Sequence, residues 1–293
     1  MRTALIQQKY NDSKQAMTQA TIDNIAIAAK NKAELIVLQE LHQGEYFCQS
    51  EDVRYFDYAQ TFEEDVVFWS NVAKKYSVVL VTSLFEQRAT GLYHNTAVVL
   101  DTDGSVAGKY RKMHIPDDPG FYEKFYFTPG DMGFEPIDTS VGRLGVMVCW
   151  DQWYPEAARI MTLKGAEMLI YPTAIGWFDE DKDDEKQRQI DAWVNIQKSH
   201  AIANGIPVLS CNRVGFEADP SGVLKGIRFW GSSFVCGSQG EIIAQADNEN
   251  ETILYAETDL TRTKEVRDIW PFMRDRRIEH YGCVLERYCD ENQ

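Results

Sequence analysis

The 293-residue sequence contains no long hydrophobic run. Its longest apolar stretches, such as Leu144–Trp150 and Val78–Val81, fall far short of the ~20 residues that span a bilayer. This excludes a helical membrane protein. Residues 1–10, MRTALIQQKY, lack the apolar centre of a secretory signal. Basic charge is also scarce: 30 Lys and Arg stand against 45 Asp and Glu, a net charge of −15. A nucleic-acid partner or an anionic membrane surface would need a basic face, so neither is expected. The six cysteines, Cys48, Cys149, Cys211, Cys236, Cys283 and Cys289, form no CxxC pair and no disulfide framework. Five scattered histidines make no HExxH pattern. No metal site is expected, and a reducing cytoplasm is the expected compartment. Nor is there a Gly-, Pro- or Ser-rich linker, so residues 1–293 read as one domain.

What is present is an alternation of short β-rich runs and helical patterns. Thr3–Gln7, Leu35–Leu38, Val78–Leu84, Leu144–Cys149, Met168–Tyr171 and Val208–Cys211 read as strands. Between them, residues 13–31, 64–76 and 184–204 carry helical spacing. Pro155 suits a first helical turn and Gly165 a helix end. Asp103-Gly104 marks a hairpin between His94–Leu100 and Val106–Tyr110. Ser232–Cys236, Glu241–Ala246 and Thr252–Glu257 complete the strands. The pattern predicts an α/β protein with two mixed sheets and helices outside them, arranged once before and once after residue 140.

Three residues have complementary chemistry. Cys149 ends an apolar run ahead of a helix start, and Glu40 directly follows the buried run LIVLQ. Lys112 lies just past a strand in YRKMHIP. Ligands of α/β sheets gather at the carboxyl ends of strands. A thiol needs a base, and a tetrahedral oxyanion needs a cation and a backbone N–H. Each residue alone also fits a structural role, as core packing, a solvent-facing acid or a basic turn. Composition cannot bring the three together.

The segments VLQE (37–40), YRKMHIP (110–116), YEKFYFTPGD (122–131) and GVMVCWDQWYPEAAR (145–159) resemble, in order and spacing, the signatures of the carbon–nitrogen hydrolase (nitrilase) superfamily. The likeness continues through LKGAEMLIYPTAIG, SCNRVG, FWGSSFVCGSQGEIIA and RDRR, so it covers nearly the whole chain. It implies a four-layer αββα sandwich. It also implies Cys149 as nucleophile, Glu40 as general base and acid, Lys112 as oxyanion-stabilising cation and Glu123 as the second glutamate that holds the lysine. The Trp150 amide becomes the second oxyanion donor. No metal or organic cofactor is implied. A homo-oligomer built from dimers is implied, with residues ~275–293 as an extension used in its contacts.

Members of that family cut nitriles, amides or ureido groups. CWDQWYPEAAR, ELHQGEYFCQ and YPTAIGW resemble the branch acting on a carbamoylated diamine. Relatives acting on carbamoylated D-amino acids carry arginines at the positions of Gln152 and Trp153, to fork the substrate carboxylate. Here both are uncharged, which points to a small cationic ureido substrate. Tyr46, Trp150, Gln152, Trp153, Thr173 and Trp177 are the expected substrate contacts, with Trp153 or Trp177 available for cation–π attraction. Asp179 and Glu180 are a weaker option for pairing an ammonium; a solvated acidic loop is the simpler reading of that stretch. Another ureidohydrolase, an ω-amidase or nitrilase, and a non-catalytic member of the fold remain open alternatives.

Overall fold

The computed structural model describes residues 1–289. Two six-stranded sheets form its centre. In each, three parallel strands lie in the middle, flanked by antiparallel ones. The first sheet runs Thr252–Glu257, Arg2–Gln7, Leu35–Leu38, Val79–Ala89, Leu92–Leu100, Val106–Arg111. The second runs Ile242–Gln245, Phe234–Cys236, Val208–Asn212, Met168–Thr173, Gly142–Val146, Ile137–Thr139. The parallel strands are Arg2–Gln7, Leu35–Leu38 and Val79–Ala89 in one sheet, and Gly142–Val146, Met168–Thr173 and Val208–Asn212 in the other.

Side-chain alternation builds the layers. Leu5, Val37, Val81 and Val99 join Val146, Ile170 and Leu209 in the core that includes both sheets. Their neighbours Ile6, Ile36, Leu80 and Val98 point the other way, onto Ile25, Phe62 and Trp69 of the outer helices. LIVL is therefore buried at all four positions, as a central parallel strand covered on both faces should be. Helices Pro155–Leu163 and Asp183–Asn204 cover the second sheet through Ala157, Met161, Trp193 and Ala201. This is the expected αββα sandwich.

Local signals set several boundaries. The Ser13 hydroxyl accepts the Ala16 N–H at 3.1 Å and opens helix Lys14–Lys30. That helix buries Met17, Thr21, Ile25 and Ala28, and the Thr21 hydroxyl donates to Gln8. Gly205, at φ 61°, ends the long helix in a left-handed turn.

The structure departs from expectation in four places. The strand expected over Leu144–Cys149 ends at Val146, because Cys149–Trp153 forms a 3₁₀ turn. A small third sheet joins Val214–Ala218, Gly226–Trp230 and Gly176–Trp177. The two halves also exchange a strand, since Thr252–Glu257 returns to pair with Arg2–Gln7. Cys283 and Cys289, expected to be unpaired, are bonded to each other. No helix among the described residues is long and apolar enough to cross a membrane. The expected C-terminal extension lies partly outside the described residues; its described part is exposed at Ile278, Val284 and Leu285.

Candidate active site

Strand ends bring the site together. Glu40 lies two residues beyond Leu35–Leu38, Lys112 follows Val106–Arg111, and Cys149 opens the 3₁₀ turn after Gly142–Val146. Glu123 starts a single helical turn, Glu123–Tyr126. The Glu40 N–H reaches the carbonyl of Thr173 at 3.3 Å, so the end of one sheet holds the end of the other.

Lys112 is fully buried between two carboxylates, 2.8 Å from Glu40 Oε1 and 2.6 Å from Glu123 Oε2. Burial opposes its charge, but Glu123 and Glu40 outweigh that and raise its pKa well above the ordinary value. Glu123 is pushed up to about 7, first by burial and then by repulsion from Glu40, against the pull of Lys112. Its other oxygen accepts the Tyr46 hydroxyl at 2.7 Å. Asn95 donates to Glu40 Oε1 at 2.7 Å. Glu40 Oε2, equally buried, has no hydrogen-bond partner among the described residues. One oxygen thus anchors Glu40 while the other is free to take a proton.

Cys149 sits at φ +42°, a left-handed conformation that costs a non-glycine residue about 1–3 kcal/mol. Its thiol pKa is raised well above normal, by burial first and by the Glu40 carboxylate next. The resting side chain is therefore a thiol, and Glu40 is the strongest charge acting on it. Asp151 holds the turn. Fully buried, it accepts the Val148 N–H at 3.1 Å, the Tyr110 hydroxyl at 2.8 Å, and the N–H and Nδ1 of His114 at 3.0 and 2.7 Å. It therefore ties the nucleophile's turn to the segment carrying Lys112.

A cleft of about 630 Å³ opens over Cys149 and Glu123. Trp150, Trp153 and Trp177 line it. In a 3₁₀ turn, positions three apart share a side, which explains why Trp150 and Trp153 face the cleft together. Gln152 and Thr173, expected at the substrate, are instead fully buried behind the cleft and bonded to each other at 3.2 Å. Tyr46 also lies outside the lining, touching Glu123. Asp179 and Glu180 pair with Arg228 and Lys225 on the surface. Besides Glu123, the acids that line the cleft are Asp118, Asp181 and Glu185. Sequence reasoning missed these and also Asn95 and Asp151. The acidic stretch 179–185 was a signal for Asp181 and Glu185; Asn95 has none, because only strand pairing brings it to Glu40.

The carbon–nitrogen hydrolase family model matches residues 2–268. The chain belongs to the carbon–nitrogen hydrolase family. This hydrolase is 42% identical over 270 residues to an N-carbamoylputrescine amidase of Solanum tuberosum, covering 91% of this chain and 89% of that one. It is 41% identical over 290 residues to a citrullinase of Francisella tularensis, covering 98% and 99%. A crystal structure of a carbon–nitrogen hydrolase from Helicobacter pylori G27 superposes with a TM-score of 0.97 at 60% identity, over 99% of each chain. The described residues hold no group of three or more His, Cys, Asp or Glu arranged for a metal ion.

Proposed function

We propose that this hydrolase is an N-carbamoylputrescine amidase, converting N-carbamoylputrescine and water to putrescine, carbon dioxide and ammonia. The observation that carries the reading is the charge of the cleft. Cys149 and Glu123 are buried at its base, while half-exposed Asp181 and Glu185 and exposed Asp118 stand towards its mouth. The one guanidinium there, Arg188, is already bonded to Asp184 and Glu185 at 2.9 and 2.6 Å. A ureido group at Cys149 would leave a distal ammonium among carboxylates and indoles. Plant N-carbamoylputrescine amidases at about this identity support the same reading.

The unpartnered oxygen of Glu40 takes the Cys149 proton as sulfur attacks the ureido carbon. Lys112 and the Trp150 amide stabilise the oxyanion. Glu40 then gives the proton to the leaving amine nitrogen, releasing putrescine and leaving a carbamoyl thioester. Water, deprotonated by Glu40, cleaves the thioester, and the carbamate decomposes to carbon dioxide and ammonia. Glu123 and Tyr46 hold Lys112 in place. The chemistry uses these side chains, the Trp150 amide and water. The same reading expects a cytoplasmic homo-oligomer whose contacts use the exposed apolar residues of the C-terminal extension, Ile278, Val284 and Leu285.

The second reading is a citrullinase, favoured by the Francisella relative and by Arg188, which could turn to a substrate carboxylate. Measured kcat/KM for N-carbamoylputrescine and L-citrulline separates the two. The amidase reading expects N-carbamoylputrescine to be preferred by at least about tenfold, since a carboxylate would meet three acids. Equal or better turnover of L-citrulline would overturn it.

A further inference from the structure

A second cavity, of about 230 Å³, has Leu41, the residue after Glu40, in its wall. Its walls include the rings of Tyr10, Phe47 and Tyr58 and the carboxylates of Glu45 and Asp57. Leu41 and Ser83 belong to the same lining. None of these residues lines the catalytic cleft.

The charge balance of this cavity is negative. Its one cation, Lys14, is bonded to Asp65 at 2.7 Å and to Thr61 at 2.8 Å. Glu45 and Asp57 have no cationic partner among the described residues; Glu45 accepts the Tyr58 hydroxyl at 3.0 Å and Asp57 the Gln60 amide at 2.7 Å. Burial and then Glu45 raise the pKa values of Tyr10 and Tyr58, so both hydroxyls stay protonated and neutral. A carboxylate pair beside aromatic faces in a partly enclosed space favours a small organic cation over an anion or a neutral molecule.

The cavity is wired to the catalytic base. The Ser83 hydroxyl accepts the Leu41 N–H at 3.1 Å and donates to Asn95 Oδ1 at 3.0 Å. Asn95 in turn donates to Glu40 Oε1 at 2.7 Å. Leu41, next in sequence to Glu40, is itself at a left-handed φ of 48°. A ligand pressing on Leu41 and Ser83 would therefore shift the hydrogen bond that sets the position of Glu40. We propose that this cavity is a second binding site for a small alkylammonium ion, coupled to the base through Ser83 and Asn95.

The test uses n-propylammonium chloride as probe, with sodium chloride at matched ionic strength as control. Calorimetric titration of the intact protein should show saturable binding. Glu45→Gln/Asp57→Asn should weaken that binding by at least about tenfold, the loss expected when a cation gives up charged partners. Asp181→Asn/Glu185→Gln, which weakens ammonium binding in the cleft, should leave binding at this second site unchanged. Crystals soaked in the probe should show it between Glu45 and the Tyr58 ring. Saturating probe should change kcat of the wild-type enzyme, and Ser83→Ala should keep the binding but lose the kcat response. Binding that is absent, or equal in wild type and Glu45→Gln/Asp57→Asn, overturns the site. Binding with kcat unmoved overturns the coupling. The binding measurements do not depend on which ureido compound is the substrate.

Discussion

At the scale of single residues, the site works by dividing labour within side chains. Glu40 gives one oxygen to Asn95 and Lys112 and keeps the other free. Glu40→Gln preserves the shape but cannot take a proton, and kcat should fall by about 10²–10⁴-fold, the range of general acid–base catalysis. Cys149→Ala should abolish turnover while circular dichroism and melting stay near wild type; retention of a tenth of the activity would rule out a sole nucleophile. Asp151 is a positioning residue, because it ties the turn of Cys149 to the segment of Lys112. Asp151→Asn replaces one acceptor oxygen by an N–H, which confronts the buried donors now bonded to that oxygen. Unpaired buried donors cost about 1–3 kcal/mol each, and small misplacement of a nucleophile can cost about 10²-fold in rate. The expected loss is thus in kcat, about 10–100-fold, with KM little changed. A loss confined to KM would refute the positioning role.

Secondary structure shows which parts were legible in the sequence. Leu35–Leu38 was readable to the residue, because an apolar run with clear flanks marks a buried strand, and the half-buried edge strand Thr252–Glu257 was read with the bounds it has. The four central residues of the site were recognised from motif likeness, not from periodicity. Which acids face the cleft was not legible. The charge run 179–185 looks uniform in sequence, yet the loop and helix start send Asp179 to Arg228 and Asp181 to the cleft. The 3₁₀ turn after Val146 was hidden because the apolar run continues through Cys149, while the Asp151 carboxylate, three residues past Val148, bonds back to its N–H. Gly205, in contrast, was legible as a helix stop. A Cβ there would meet a left-handed φ of 61° and come within 3.1 Å of Arg267 Cγ. Gly205→Ala should therefore destabilise the protein by about 1 kcal/mol, read as a lower urea midpoint with activity retained.

For the whole molecule, burial of titratable groups makes stability depend on pH in two opposed ways. His42 is fully buried against Trp69, and neither ring nitrogen has a partner among the described residues. Burial, then Arg213 and Lys14, lower its pKa from 6.5 to about 3. The unfolded chain takes up that proton as pH drops below 6.5 while the folded chain refuses it until about 3, so stability falls with acidification. Burial lowers His94 and His200 as well, adding to the same trend. Glu123 acts in reverse. The folded protein keeps its proton to about 7, whereas the unfolded chain releases it near 4.5, so stability is lost as pH rises through that window. Each group contributes up to about 1.4 kcal/mol per pH unit, and between 4.5 and 6.5 His42 and Glu123 largely cancel. Removing Glu123's titration should uncover the histidines. The urea-unfolding free energy of Glu123→Gln, relative to wild type, should improve by up to about 3 kcal/mol between pH 4.5 and 7, steepening the variant's own acid sensitivity. A difference that stays constant across that range would mean Glu123 is ionised throughout it. Lys112 would then lie between two full negative charges at neutral pH, and the net charge of the catalytic cluster would be −1 rather than zero with Cys149 as a thiol.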